Sequence, residues 1–181
     1  MAVDCRTWTI PKIPTYPLVS CKSCIANKGT IDCLYDAAGI KLEKKVFNTS
    51  GVEDKHAGQI YAGSFVYDGN LALKKILHNE GYIDPSNGAW HYFLKDHLGN
   101  TRVGFIADGA VTSGEQDYHY YPFGMDFTGL EKFNSENKFK YNGKELQEDL
   151  GLDWYDYGAR YYNPELAIFH TIDPKAEDYI F

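Results

Sequence analysis

HYFLKDHLGNTRVGF, residues 91–105, decides the fold of this chain, because it reads as two strands around a Gly-Asn turn. Trp90, Tyr92 and Leu94 share one face of the incoming strand and His91, Phe93 and Lys95 the other, since successive side chains alternate. The connection Asp96-His97-Leu98-Gly99-Asn100 concentrates residues that tolerate positive φ. Thr101, Val103 and Phe105 then resume the alternation in a β-branched and aromatic strand. Asp96 and His97 are chain neighbours projecting from a turn, so the pair reads as turn chemistry rather than acid–base catalysis.

The same pattern extends in both directions. The 181 residues include 15 Tyr, 10 Phe, 3 Trp and 17 Gly, which favours short strands and tight turns over long helices. In CLYDAAGIKLEKKVF, residues 33–47, a Tyr35-Asp36 start precedes a turn at Ala37-Ala38-Gly39 and a strand carrying Ile40, Leu42 and Val46. In residues 58–78, a strand through Tyr61, Phe65 and Tyr67 meets a turn at Asp68-Gly69-Asn70 and a returning strand from Leu71 to Leu77. Residues 79–89, with Gly81, Pro85 and Gly88, read as an irregular connection, and Ala107-Asp108-Gly109-Ala110 as a tight turn. Residues 144–150 have the composition for one or two helical turns. The expected class is therefore all-β: successive antiparallel β-hairpins with at most short helical turns.

A formal charge of −7 argues against nucleic acid as a partner, because phosphate neutralisation needs clustered Lys and Arg. Lys41, Lys44 and Lys45, beside Glu43, read as a solvated strand face. No apolar run approaches the ~20 residues needed for a membrane-spanning helix. The N-terminal segment, broken by Pro11, Lys12, Pro14 and Pro17, shows no signal peptide. The cysteines Cys5, Cys21, Cys24 and Cys33 fall early in the chain. Cys21 and Cys24, the candidate metal ligands, supply half of a paired-knuckle zinc signature. A redox pair would need a βαβ setting; a disulfide, or thiols in a poorly ordered leader, stay open as alternatives. No cofactor is expected. A composition shift near Ile31 divides a Pro/Cys-rich leader, 1–31, from a patterned body, 32–181.

Glu145, Glu148, Asp149, Asp153 and Asp156 could suggest paired acids, but the pattern places them beside turns or facing outward between Trp154, Tyr155 and Tyr157. Asn142-Gly143-Lys144 lacks the flanking residues of a phosphate loop. Tyr118, Tyr120 and Tyr121, before Pro122-Phe123-Gly124, fit cross-strand packing, with a glycan-stacking platform as the alternative.

The motifs YDAAGIKLEKKV, YFLKDHLGNTRVGF, YYPFGM and KYNGKELQEDLGLDWYDYGARYYNPELAIFHTIDP together resemble the RHS/YD-repeat family, particularly its RHS repeat-associated core domain in Bacteroidetes-type sequences. The resemblance runs from about Asp32 to the C-terminus. It implies a hairpin ribbon spiralling into a hollow shell, or β-cocoon. Full-length relatives use such a shell, secreted or at the cell surface, to enclose and deliver a C-terminal polymorphic toxin in competition between bacteria. Implied partners are further YD repeats of the same or a neighbouring chain, and a toxin cargo. Implied structural positions are Tyr35, Asp36, Gly39, Asp96, His97, Leu98, Gly99, Asn100, Arg102, Pro122, Phe123, Gly124, Gly158, Arg160, Tyr161, Tyr162, Asp173 and Pro174.

The resemblance also implies a cleavage site, since many family members cut themselves after this core with aspartates in two Asp-Pro-x-Gly motifs about twenty residues apart. Here the first falls on Asp173-Pro174-Lys175-Ala176, with Ala176 in place of glycine, and the second is missing. A dyad needs two carboxyls, so Asp173 is expected not to act, and the chain is expected to be a C-terminally truncated, non-enzymatic shell segment. The alternatives are a stand-alone surface binding module for glycan or protein, using a tyrosine-rich face, and a non-functional remnant of a larger gene.

Overall fold

The computed structural model describes residues 19–25, 27–108, 111–127, 137–158, 160–173 and 176, with backbone alone at 19–24, 108 and 111–115. The described chain is almost wholly antiparallel β-structure, as the hairpin pattern predicts, and it divides into two compact units.

The first unit comprises Met1–Gly88 together with Asp149–Leu152. It contains β1 (Val19–Ile25), β2 (Gly29–Tyr35), β3 (Lys41–Phe47), β4 (Gln59–Ala62), β5 (Phe65–Asp68), β6 (Leu73–His78) and β7 (Gly81–Ile83). Each strand pairs antiparallel with the next in sequence. β1 falls inside 1–31, the segment expected as a leader, and is held by pairing with β2 from Val19↔Tyr35 to Ile25↔Gly29. Residues 1–18 lie outside the described residues. β7 corrects the expected irregular connection at 79–89. Its backbone pairs with β6 through Ile76↔Ile83 and His78↔Gly81, a ladder too short to leave a periodic trace in sequence.

The second unit, Ala89–Glu148 with Asp153–Phe181, begins with the hairpin read from 91–105. β8 (Trp90–Lys95) pairs with β9 (Thr101–Asp108), and β9 with β10 (Val111–Asp117). The expected turn at 109–110 lies outside the described residues. A second sheet follows: β11 (Glu145–Gln147), β12 (Trp154–Asp156), β13 (Tyr161–Asn163) and β14 (Ile168–Phe169), again each paired with its successor. β11 occupies residues expected to be helical. Pairing with β12 overrides their helix propensity, and only single 3-10 turns flank it, at Tyr141–Gly143 and Asp149–Gly151.

One corner geometry recurs along the chain. At 36–40, 48–52, 68–72 and 96–100, the first residue's N–H donates to the carbonyl four residues on, and its carbonyl accepts from the N–H three residues on. Its own side-chain oxygen accepts the N–H groups two and four residues on, at 2.8–3.0 Å. This is a three-residue hairpin loop closed by a left-handed residue, here Gly39, Gly51, Leu71 and Gly99, with φ of 80°, 76°, 66° and 82°. Asp and Asn suit the first position because their short side chains reach these amides. In the corners at 36, 68 and 96 the returning strand carries one extra residue, Leu42, Lys74 or Arg102, so the bulge repeats with the corner. The Ala72 N–H, more than the opposing effect of burial, holds the Asp68 carboxyl below its ordinary range. At Asp96, burial pushes upward but is outweighed by the Asn100 side-chain amide and by the Asn100 and Leu98 N–H groups.

Lys44 requires a correction. Ile31, Cys33 and Tyr35 of β2 point inward, and Cα pairing sets Ile31 opposite Val46 and Cys33 opposite Lys44. Lys44 therefore lies on the core face rather than on a solvated one, because residues 44 and 46 share a strand face. Its side chain is fully buried, with its ammonium 2.6 Å from Asp149 in the same unit. Lys45 faces the other way and meets Glu43 at 3.1 Å.

Two stability predictions follow from this geometry. Gly99→Ala forces an L-residue into the left-handed region and should cost about 1–2 kcal/mol. Leu71→Gly, at the equivalent position of another corner, should raise stability because Leu71 is 70% exposed and loses little burial. Urea denaturation of both variants measures this, and equal losses would sink the corner argument. Asp149→Ala strands a buried ammonium and should cost about 3–5 kcal/mol. Lys44→Met, which removes the charge and keeps the stem, should cost clearly less in the same assay.

Candidate functional site

Residues from the later sequence motifs, YYPFGM and the segment that begins at Lys140, meet in the second unit around a corner at 121–125. Tyr121 N–H donates to the Met125 carbonyl and Gly124 N–H to the Tyr121 carbonyl, both at 2.8 Å. Pro122 follows the first corner residue, where its fixed φ suits a turn. Gly124 has φ 87°, and a Cβ there would enter the Tyr141 ring, so glycine is required twice over.

Tyrosine hydroxyls hold this corner. Tyr162 Oη donates to the Phe123 carbonyl at 2.9 Å, Tyr155 Oη to the Gly124 carbonyl at 3.2 Å, and Tyr141 Oη approaches the Pro122 carbonyl at 3.4 Å. The donors come from β13, β12 and the turn before β11. Leu146, Tyr155 and Tyr162 are cross-strand neighbours on one sheet face, since Leu146 pairs with Tyr155 and Tyr155 with Tyr162. They form the apolar core, with Tyr141 and Tyr157 packed against it. Ring centroids of Tyr141 lie 5.9 Å from Tyr155 and from Tyr120, and 6.4 Å from Tyr162. Such pairs contribute about 0.5–1.5 kcal/mol each beyond burial.

A second corner, at 140–144, stacks against the one at 96–100. Lys140 has no side-chain oxygen to accept the Asn142 N–H, as the first residue of an Asp corner would. Asn100 Oδ1 accepts it instead, at 2.8 Å. Thr101, fully buried, ties the two together: its N–H donates to the Lys140 carbonyl, its hydroxyl to the Phe139 carbonyl, and its own carbonyl accepts the Tyr120 hydroxyl. The Lys140 ammonium reaches Asp126 Oδ2 at 2.6 Å and Glu148 Oε1 at 3.4 Å, and Tyr155 Oη lies 3.4 Å from Asp126 Oδ1.

Asp96, Gly99 and Asn100 thus shape one corner, from which His97 and Leu98 project into solvent. Arg102 lies over the Tyr120 ring at 5.7 Å. Pro122, Phe123 and Gly124 form the clamped corner, and Tyr162 clamps it. Tyr161 is buried opposite Asp156, and Gly158, with φ 80°, donates its N–H to Asp156 Oδ1. Arg160 lies over Phe169 at 4.0 Å and pairs with Asp173 Oδ2 at 2.9 Å. Tyr35, Asp36 and Gly39 build a corner of the first unit. Pro174, and the side chains of Cys21 and Cys24, lie outside the described residues.

Glu145 and Asp156 correct the reading of outward acids. They are Cα partners on β11 and β12, and both are buried. Thr101, Asp126, Lys140, Tyr141 and Tyr155 were not singled out from sequence as site residues. Their partners lie far along the chain, and no local pattern marks such contacts. Among the described residues, no helix is long and apolar enough to cross a membrane.

No family model matches the chain. Over 95 residues it is 35% identical to Salivary gland surface protein 1 of Aedes aegypti, a stretch that is 50% of this chain and 3% of that protein. Among solved structures it is similar to TcdB2-TccC3 without its hypervariable C-terminal region, with TM-score 0.40 and 16% identity over 91% of this chain and 7% of the other. For TcdB2-TccC3-TEV the TM-score is 0.41 and the identity 14%, over 90% and 7%. The chain therefore spans a small fraction of each protein it resembles.

Burial foremost, and then the Asp126 carboxylate, push the hydroxyls of Tyr155 and Tyr120 far above the ordinary tyrosine value. A hydroxyl whose folded value exceeds the unfolded one of ~10 stabilises the fold fully below that pH. The contribution is lost as pH rises through the folded value. Stability should therefore fall once the pH passes about 10, with the last part of the tyrosinate absorbance appearing only together with unfolding. Tyr155→Phe should cost about 1–3 kcal/mol at neutral pH, because the Gly124 carbonyl loses its donor, and should flatten the alkaline slope. A spectrophotometric titration in which all of the tyrosinate absorbance develops while the fold is intact would refute the clamp.

Proposed function

We propose that this chain is a wall segment of a larger RHS-type β shell, structural in role and without catalytic activity of its own. The parent protein would enclose a C-terminal cargo, a toxin in the bacterial setting. The observation that carries the reading is the repeated corner, in which Tyr35-Asp36-x-x-Gly39 and Tyr67-Asp68 give the Tyr-Asp signature a structural meaning. Strands pairing in sequence order suit a ribbon that adds hairpins one after another. Side-chain hydroxyls and amides at the clamped corner are committed to backbone partners, which supports a fixed wall over a site for turnover. Asp173, the position of the family's cleavage motif, is engaged by Arg160.

The protein carrying this chain, purified from its native source, provides the test. If the reading holds, this segment belongs to a large protease-resistant particle, and cargo downstream of it becomes digestible only after the particle is opened with denaturant. Recovery of the chain as an independent small protein, or a downstream cargo freely digested from the outset, would sink the shell role.

A surface binding module is the second reading, favoured by the exposure of Trp90, Leu98 and Phe123 at 45%, 61% and 62%. Tyr120 is a poor platform for it, since its hydroxyl is bound to the Thr101 carbonyl.

A further inference from the structure

The contact of Lys140 with Asp126 holds the components of an amide-forming reaction. The nucleophile is an amine whose side chain is 10% exposed. The electrophile is a carboxyl, 20% exposed, 2.6 Å away. A second carboxylate, Glu148, lies 3.4 Å from the same nitrogen. On its other side the Asp126 carboxyl faces the Tyr155 hydroxyl at 3.4 Å, from a residue with no exposure. Simple ion pairing needs only the first two groups. The third can carry a proton, and the fourth is a hydroxyl whose single proton, given to the Gly124 carbonyl at 3.2 Å, can swing to Oδ1, where negative charge develops when a carboxyl carbon is attacked.

The geometry points to a spontaneous intramolecular isopeptide bond between Lys140 Nζ and Asp126 Cγ. Proton transfer across the short contact gives a neutral amine and a neutral acid. Nζ then adds to Cγ, and the developing oxyanion on Oδ1 faces Tyr155 Oη. Glu148 takes a proton from the nitrogen and returns it to Oδ2, which departs as water. One N–C bond forms, one C–O bond breaks, and one water is lost. No oxidant or other reactant is needed. Proximity is the main driving factor, since the reacting groups are held in contact by structure already present. The product would join the segment after the clamped corner to the strand entry at β11, sealing the hub covalently. The inference rests on this local geometry and does not depend on the shell reading.

Intact mass of the folded chain after refolding, followed over time, tests it. The expected result is loss of one water, with a bridged tryptic peptide linking Asp126 to Lys140. Asp-Gly sites at Asp68-Gly69 and Asp108-Gly109 can also lose water by forming succinimides. Mild hydroxylamine opens those, whereas the side-chain amide survives. Lys140→Arg keeps a cation beside Asp126 but supplies no comparable nucleophile, so it should fold, retain the full sequence mass and yield no bridged peptide. Glu148→Gln should slow bridging on the order of 100-fold, and an unchanged rate would overturn its role as proton carrier. Wild-type protein that is folded by circular dichroism yet keeps its full mass, with unlinked peptides after prolonged incubation, would overturn the proposal.

Discussion

A chain reversal at 121–125 presents three successive carbonyls, of Pro122, Phe123 and Gly124, that strand pairing does not serve, and tyrosine hydroxyls reach all three. A buried carbonyl left without a donor costs about 1–3 kcal/mol, while the net gain from each bond made is nearer 1 kcal/mol. Pro122 and Phe123 are exposed and Gly124 is buried, so the penalty for omission falls at the Gly124 carbonyl, and the need to serve it constrains the strands around it. β12 and β13 must pair in the register that sets Tyr155 beside Tyr162, and the turn before β11 must bring Tyr141 against Gly124. Displacing either strand by one residue would turn its tyrosine to the opposite sheet face.

The corners show how the same obligation is met locally and at a distance. Where the first residue is Asp or Asn, as at 36, 48, 68 and 96, its own side chain serves the amides of the turn. Lys140 begins a corner without that capacity, and Asn100, at the end of the Asp96 corner, accepts the Asn142 amide in its place. A corner that caps itself can stand anywhere in a sheet. One that borrows its cap is fixed against the lender, which is how the 96–100 hairpin and the approach to β11 become parts of one body.

Much of this architecture was legible in the sequence. Alternation through Trp90–Lys95 and from Thr101 onward, around residues that accept positive φ, defined the central hairpin, and the Asp-Gly punctuation at 36–39 and 68–70 marked further corners. What failed was set by tertiary context. β7 has only Gly81–Ile83, and β11 is built from Glu145, Leu146 and Gln147, which favour helix until β12 supplies a ladder. Lys44 reads as a surface charge because its burial depends on Asp149, 105 residues on. Likewise, the polar stretch before Glu145 gave no sign that Lys140 would meet Asp126.

The hub's bonds are also too weak to form one at a time. They span long loops, with separations of 31, 38, 39 and 42 residues for Tyr155–Gly124, Thr101–Phe139, Tyr162–Phe123 and Asn142–Asn100. Closing a flexible loop of that size costs roughly 3 kcal/mol before any contact is counted, more than one hydrogen bond returns. The Asp corners bear no such cost, since their bonds join residues two and four apart. Burial of Tyr155 and Tyr162 with Leu146 supplies the apolar gain that single hydrogen bonds lack, so the long loops close together around that core. Local Asx chemistry thus sets the shape of the 96–100 corner on its own, and the distant bonds from Asn100 and Thr101 fix that corner against the one at 140–144.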